Sequence, residues 1–217
     1  HDDDTVTMGT YIFKTFVVPY ETAFDEADGN DHFYAYNAIA SNPTNCWEMG
    51  VPDETNSVIK TPYSEPNCWK TKLSGKHPKN NESILYSPIF DVNIVKPDTL
   101  SFMMRMDAAM ANAKMYVEYL NWEGKWVLLG EYDDDNAQNW YNSEENYWEG
   151  TRSWTKVVYS LNHLNYMFGN QFQLRFVFRS ANGIQKDGFA IDDFSIKRAQ
   201  REQDAGVVSL VLEPTAL

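Results

Sequence analysis

The sequence predicts an all-β fold, a two-sheet antiparallel jelly-roll sandwich. Roughly ten short segments rich in β-branched and aromatic residues alternate with turn residues along the chain. No segment of helical length shows the apolar spacing of an amphipathic helix. With 217 residues, 43% of them hydrophobic and 15% aromatic, the chain is long enough for one large β domain with a sizeable core.

The first half of the chain reads as a series of short strands. Residues 5–20 are dominated by β-branched and aromatic side chains, and Pro19 ends the run. Further strands are predicted within 33–50 and in the two short segments 57–63 and 68–73. The segment 82–91 continues the series, and its strand stops at a proline.

The second half gives clearer signals. A hairpin is predicted from strands at 115–120 and 125–129, joined by the turn Asn121-Trp122-Glu123-Gly124. Core strands are predicted at 100–106, 154–161 and 172–179. The stretch Gly188–Ile196 alternates small or apolar residues with polar ones, as a strand with one buried face does.

The chain carries 18 basic and 31 acidic residues, a formal net charge of −13. This charge disfavours nucleic acid and anionic lipid as partners, because both bind through clusters of Lys and Arg. No run of about 18 apolar residues is present, so no membrane insertion is expected. The N-terminus shows no signal-peptide pattern, and we interpret the chain as a mature segment of a longer precursor.

Two cysteines occur in matching contexts, Asn45-Cys46-Trp47 and Asn67-Cys68-Trp69. If their strands are neighbours, Cys46 and Cys68 would form a disulfide; the alternative is two free buried thiols. An oxidising compartment would favour the bond.

Asp192 and Asp193 are adjacent in the last predicted strand, so their side chains point to opposite faces. An acid held on a buried face needs a partner, because burying an isolated carboxylate is costly. The segment from Asp25 to Asp31 is acidic and contains no Lys or Arg. If the first and last strands meet, Asp25, Asp28 and Asp192 would converge on a structural calcium ion. The alternative is a solvated acidic loop and a strand-end acid.

Several motifs, taken in order, resemble the MAM-like jelly-roll domain found in large secreted and cell-surface bacterial proteins exported by type IX secretion. The resemblance covers roughly residues 15–197. It is carried by Cys46-Trp47-Glu48-Met49-Gly50-Val51-Pro52, Glu82-Ser83-Ile84-Leu85-Tyr86-Ser87-Pro88-Ile89-Phe90-Asp91, Val117-Glu118-Tyr119 with Trp126 and Leu129-Gly130, Leu174-Arg175-Phe176 and Gly188-Phe189-Ala190-Ile191-Asp192-Asp193-Phe194.

The resemblance implies a MAM/concanavalin-like or galactose-binding-like sandwich. It also implies a recognition or adhesion domain, or an accessory domain beside an enzyme, often with a structural calcium ion. It adds Glu82 as a weaker candidate ligand of that ion. Residues 1–197 are predicted to form the sandwich. Residues 198–217 are predicted to be a linker and the first strand, Asp204–Leu212, of a following domain, which the resemblance implies is immunoglobulin-like. The turn Asn121–Gly124 departs from the family's Asp-Gly-Gly turn, and the two cysteines are not general features of the family.

The sequence favours a binding domain over an enzyme. It lacks the Glu-x-Asp-x-x-Glu strand of jelly-roll glycanases, the HExxH of zinc proteases and the Gly-x-Ser-x-Gly elbow. A glycan-active hydrolase or lyase domain is the alternative.

Aromatic residues in predicted loops are the candidate ligand contacts, because their faces can pack on sugar rings. The long segment 131–151 supplies most of them. The alternative is that these rings fold back on the edge of the core. The expected partner is an extracellular glycan or a surface protein, alongside other domains of the same polypeptide. The candidates are Trp122, Trp140, Tyr141, Tyr147 and Trp148.

Overall fold

The computed structural model describes residues 15–25, 32–38, 45–53, 55 and 57–198. Within this part of the chain, fifteen strands, numbered in chain order, and one 3-10 turn at Asn162–Leu164 make up the regular structure. A five-stranded sheet has the order β10 (Trp126–Leu128), β9 (Ala113–Leu120), β14 (Leu174–Ser180), β6 (Asn81–Tyr86) and β3 (Tyr34–Asn37).

The second large sheet has seven strands. Its order is β11 (Ala137–Gln138), β12 (Thr151–Ser160), β8 (Pro97–Asp107), β15 (Gly188–Arg198), β5 (Cys68–Thr71) and β4 (Trp47–Gly50), with β2 (Tyr20–Thr22) also paired to β15. A small third sheet joins β1 (Thr15–Val17), β7 (Ile89–Asp91) and β13 (Gln171–Phe172). The predicted all-β sandwich is confirmed. The parallel pairing of β1 with β7 is the departure from a purely antiparallel arrangement.

Alternation along the strands sets which side chains face the core. In β9, buried and half-buried residues alternate at every position, so Met115 and Val117 point inward while Tyr116 and Glu118 point outward. Inward aromatic rings from the two large sheets meet in the middle. Phe102 of β8 lies edge-on to Phe176 of β14, with ring centroids 5.1 Å apart. Such contacts contribute beyond the area they bury.

β15 is the central strand of the seven-stranded sheet. It pairs with β8 along one edge, and with β5 and then β2 along the other. The last strand therefore meets β2, whereas β1, the first described strand, pairs with β7 in the small sheet and not with β15. The ladder with β8 is irregular between Asp192 and Ser195, and Asp193 has a φ of 44°. This bulge lies where the partner of β15 changes from β5 to β2.

The predicted hairpin is confirmed as β9 and β10. Asn121 Oδ1 accepts hydrogen bonds from the backbone N–H groups of Glu123 and Lys125, at 3.0 and 2.9 Å. Gly124 adopts a φ of +74°, a left-handed conformation that glycine adopts without steric cost.

Residues 57–63 were predicted as a strand and form none. They begin an irregular loop, residues 57–66, which lies on the outer surface of the seven-stranded sheet. The predicted strand in residues 5–14 and the predicted following domain from residue 199 onward lie outside the described residues.

The predicted disulfide is contradicted, since Cys46 and Cys68 are free, buried thiols. In the β4–β5 pairing, Gly50 lies opposite Cys68, and the carbonyl of Cys46 accepts a hydrogen bond from Lys72 N. The two cysteines thus lie at opposite ends of the paired segment, roughly four residues or about 13 Å apart. They also belong to different apolar clusters. Cys46 lies in the main core, and Cys68 packs with Ile59 and Ala190 beneath the loop.

Candidate functional site

Three of the predicted ligand aromatics are core residues. Trp140, Tyr141 and Trp148 are 5%, 4% and 0% exposed, and Tyr147 is also buried. The expectation that these rings form an exposed binding surface is wrong. Their loop folds back on the sandwich, as the alternative in the sequence analysis allowed.

The free edge of β9 explains why this loop folds inward. β10 pairs with β9 only from Glu118 to Leu120, which leaves the backbone of residues 115–117 to find other partners. Trp148 exchanges two backbone hydrogen bonds with Met115, at 2.8 and 3.1 Å. The Tyr141 hydroxyl accepts from Val117 N at 3.0 Å and donates to Val117 O at 3.2 Å. The loop therefore completes the sheet edge, and burial raises the pKa of Tyr141 well above its usual value.

Trp122, the remaining candidate, is 63% exposed. It lies in the β9–β10 turn, where its backbone N–H donates to Met167 O at 2.9 Å. The backbone of Gly169 packs beside it, so that a Cβ added there would lie 3.6 Å from the Trp122 Cβ. The turn therefore holds the base of the side chain in place and leaves most of the indole in solvent.

A groove of about 590 Å³ adjoins this indole, and we call it the Trp122 groove. Asp91 and Gln171 are directly opposed on β7 and β13, and both line it. Asp91 Oδ1 accepts from Asn93 N and Asn93 Nδ2, at 3.0 and 2.8 Å, which orients both side chains. The rest of the lining consists of Thr15, Leu120, Asn121, Gly124, Gly169 and Asn170. The groove thus combines one exposed indole with carboxamide and carboxylate groups.

A second exposed surface, which we call the open face, is the outer side of the five-stranded sheet. Cross-strand pairing aligns Glu118, Arg175, Tyr86 and Tyr34 in one row. A parallel row aligns Tyr116, Val177, Ile84 and Tyr36, and a third aligns Lys114, Arg179 and Glu82. Tyr34 and Tyr36 on β3 are 50% and 60% exposed.

Ring and charge contacts fix the side chains of the first row. Tyr34 stacks on Tyr86 with centroids 4.8 Å apart and planes 6° apart. Tyr86 meets Trp126 edge-on at 5.6 Å, and the Arg175 guanidinium lies 4.3 Å from the centre of the Trp126 ring. Glu118 accepts a 2.5 Å hydrogen bond from Arg175.

The sequence analysis did not identify this surface. The sequence does contain a pattern that indicates this surface, because polar or aromatic positions alternate with core residues in β3, β6, β9 and β14.

Two of the predicted calcium ligands, Glu82 and Asp192, lie on different sheets. Glu82 lies on the open face and accepts from Arg179 at 2.5 Å. Asp192 lies on the outer side of the other sheet, beneath loop 57–66. Among the described residues, no group of three or more His, Cys, Asp and Glu side chains is placed to hold a metal ion.

Asp192 is fully buried, and its carboxylate is already occupied by donors. Oδ2 accepts from Tyr63 N at 2.8 Å and Ser64 N at 3.0 Å, and Oδ1 accepts from Asp193 N at 2.8 Å. N–H groups cannot coordinate a cation, so this site does not fit calcium. Desolvation raises the pKa of Asp192 to about 6 and the neighbouring Asp193 adds to the rise, although the hydrogen bonds oppose it.

Asp25 is described, and Asn67 Nδ2 lies 3.5 Å from its backbone carbonyl. Asp28 lies outside the described residues. A calcium ion at residues 25–31 therefore stays a prediction, which melting curves with calcium and with excess chelator would test.

A second buried carboxylate, Asp187, also holds the loop. Its Oδ2 accepts from Val58 N, Ile59 N and the Ser57 hydroxyl, at 2.5, 2.8 and 2.6 Å. Lys76 Nζ lies 2.5 Å from Oδ1. Burial works against the ionised form, but these donors outweigh it and lower the pKa of Asp187 to about 2. The backbone donors of residues 58, 59, 63 and 64 thus bind carboxylates in place of a neighbouring strand, which is why the predicted strand is absent.

The β-sandwich resembles solved domains from bacterial adhesins and carbohydrate-binding modules. The K1 cleaved adhesin domain of Lys-gingipain from Porphyromonas gingivalis W83 is 12% identical, with a TM-score of 0.45 over 84% of this chain and 99% of that one. The K2 cleaved adhesin domain of Lys-gingipain is 12% identical, with a TM-score of 0.48 over 83% and 98%. The CBM22-1 xylan-binding domain from Paenibacillus barcinonensis Xyn10C is 12% identical, with a TM-score of 0.45 over 87% and 99%.

No protein-family model and no curated protein matches the chain. The MAM-like resemblance and the type IX secretion route therefore stay predictions. No helix in the described part of the chain is long and apolar enough to cross a membrane.

Proposed function

We propose that the chain is a non-catalytic recognition domain of a larger secreted or cell-surface protein, and that it binds carbohydrate in the Trp122 groove. The observation that carries the proposal is the indole of Trp122, 63% exposed on a turn whose backbone is fixed. An exposed indole provides a flat apolar surface for the C–H face of a sugar ring. Because the turn is already ordered, binding costs little further backbone entropy.

The polar groups beside the indole suit sugar hydroxyls, which both donate and accept hydrogen bonds. Asp91 provides acceptors, and the carboxamides of Asn93 and Gln171 provide both donors and acceptors. The two hydrogen bonds that Asn93 donates to Asp91 hold these two side chains in one arrangement before any ligand arrives. Selectivity among sugars would come from this arrangement, and the indole would contribute affinity.

Catalysis fits the groove less well. Of the described residues that line it, Asp91 alone carries a carboxylate. Glycoside hydrolysis generally uses two carboxyl groups on either side of the scissile bond. A glycan-active enzyme is the alternative proposal, and release of reducing ends from the same polysaccharides would reveal it.

Affinity electrophoresis of the purified protein in gels containing xylan, galactomannan or mixed-linkage β-glucan tests the binding proposal. We expect at least one neutral polysaccharide to retard the wild-type protein, and Trp122→Ala to abolish the retardation. Tyr132→Ala is the matched control, because Tyr132 is also exposed and does not line the groove. Equal retardation of wild type and Trp122→Ala, or none in any gel, would contradict the proposal.

A further inference from the structure

The Trp122 groove and the open face form one continuous surface. Leu120 lines the groove and is the direct cross-strand partner of Trp126. Trp126 contacts Tyr86, and Tyr86 stacks on Tyr34 at the opposite edge of the sheet. A path from Trp122 to Tyr34 therefore crosses all five strands, roughly 19 Å at the usual strand spacing.

We propose that this path binds the interior of a neutral polysaccharide chain, with Trp122 at one end and Tyr34 and Tyr36 at the other. The inference rests on the proposed function and adds the class of ligand. The groove alone would suit a short segment or a chain end. The path is long enough for several consecutive sugar rings.

The chemistry of the open face favours a glycan as the occupant. Aromatic rings alternate with groups that donate and accept hydrogen bonds, and both kinds are held in place. Arg175 is fixed by Glu118 and Trp126, and its Nη1 lies 3.4 Å from the Tyr86 hydroxyl. The Tyr34 hydroxyl lies 3.4 Å from Gln173 Nε2. A chain of sugar rings offers apolar C–H faces and hydroxyl groups in a similar alternation.

The charges of the face indicate a neutral chain. Both arginines are already paired with a glutamate, Arg175 with Glu118 and Arg179 with Glu82. An anionic sugar would have to compete with these carboxylates for the guanidinium groups. It would also approach a protein whose formal net charge is −13. Uronic-acid and sulfated polysaccharides are therefore disfavoured.

Isothermal titration calorimetry with oligosaccharides of two to six sugars, taken from whichever of the three gel polysaccharides is bound, tests the path. We expect wild-type affinity to rise at least tenfold from dimer to hexamer. In Tyr34→Ala/Tyr36→Ala the rise should be lost while dimer affinity is unchanged. In Trp122→Ala binding of every length should fall. Tyr132→Ala should behave as wild type.

The outcomes separate the two proposals. If no neutral polysaccharide binds, the proposed function itself fails. If wild type binds and needs Trp122, but affinity depends neither on chain length nor on Tyr34 and Tyr36, the function stands and the path is wrong. Tighter retention by polygalacturonate than by the neutral gels would overturn the inferred ligand class. Concentration-dependent dimerisation that Tyr34→Ala/Tyr36→Ala abolishes would show instead that the face binds a second copy of the chain.

Discussion

The outer surfaces of the two large sheets differ in whether a loop of the chain lies over them. Loop 57–66 covers part of the outer surface of the seven-stranded sheet, where it buries Ile59, Cys68 and Ala190 completely in a small second core. The open face of the five-stranded sheet has no such loop among the described residues, and Tyr34 and Tyr36 remain largely exposed there. The difference indicates which of the two surfaces can bind a ligand. A surface covered by the chain itself contributes stability, and a surface left open with its arginines paired is available to a ligand.

Carboxylates have different roles on the two surfaces. On the covered side, Asp187 and Asp192 are fully buried and accept backbone hydrogen bonds from the loop. On the open side, Glu82 and Glu118 pair with arginines in partial contact with water. Removing an acceptor from the covered side leaves buried donors unsatisfied, whereas on the open side water can replace it. The predictions below test this contrast.

The largest loss of stability is expected for Asp187→Ala. The substitution leaves the N–H groups of Val58 and Ile59 without an acceptor and Lys76 without its partner. Losing this fully buried acceptor of several hydrogen bonds should lower the free energy of unfolding by about 3 kcal/mol, because the buried donors are left unsatisfied. Urea denaturation followed by tryptophan fluorescence measures it. Asp135→Ala, at an exposed position, is the control and should change stability by less than about 0.5 kcal/mol. A similar small loss in both variants would show that the loop is held by other contacts.

The labelling rates of the two cysteines measure how firmly loop 57–66 is attached to the sheet. Cys68 lies beneath the loop and Cys46 lies in the main core. Burial raises the pKa of both thiols to about 12, so both should label slowly in the native protein. In Asp187→Asn, weaker attachment of the loop should speed labelling of Cys68 at least tenfold. Labelling of Cys46 should change little. Peptide mapping by mass spectrometry after timed exposure to iodoacetamide distinguishes the two sites. Equal acceleration at both would mean that the loop opens only when the whole domain unfolds.

The opposite pKa shifts of the two aspartates predict a dependence of stability on pH. The folded-state pKa of Asp192 is raised to about 6, so protonation favours the folded state, and stability from this group should rise as pH falls from 7 to 4. The pKa of Asp187 is lowered to about 2, so its contribution is present above pH 4 and is lost as pH falls towards 2.

Thermal melts between pH 2 and 8 test this behaviour. We expect Asp192→Asn to flatten the change in melting temperature between pH 5 and 7, and Asp187→Asn to retain it. The comparison is made on slopes, because the other acids of a chain with a net charge of −13 add a shared background to every variant. A slope unchanged by Asp192→Asn would assign the titration to another group.

The sequence was informative where alternation continued over several residues and uninformative where tertiary contacts decided the outcome. The β9–β10 hairpin was predicted because the apolar positions of β9 recur at every second residue. Loop 57–66 was misread because its backbone donors bind two aspartates about 130 residues later in the chain. No local pattern shows such a partner.

The candidate site was predictable only in part for the same reason. Trp122 was identified because it is an aromatic residue in a predicted turn. Trp140 and Trp148 were wrongly assigned to a binding surface. The free edge of β9 that buries them is set by where β10 ends, and the sequence does not show this. The open face was missed because it assembles alternate residues of four strands, none of which is unusual alone.

The smallest contribution to stability is expected from the ion pair between Arg179 and Glu82 on the open face. The two side chains retain 47% and 25% of their exposure, so water replaces much of what each loses when the other is removed. A double-mutant cycle with Arg179→Gln and Glu82→Gln should give a coupling energy of about 0.5 kcal/mol, which 1 M NaCl should reduce. Lys76 and Asp187 form the matched pair on the covered side. Lys76→Gln and Asp187→Asn should couple several times more strongly and with less dependence on salt, because the Asp187 carboxylate is fully buried. Equal coupling energies on the two surfaces would contradict the contrast between them. Strong coupling at Arg179 and Glu82 alone would mean that the open face is held together as rigidly as the covered one.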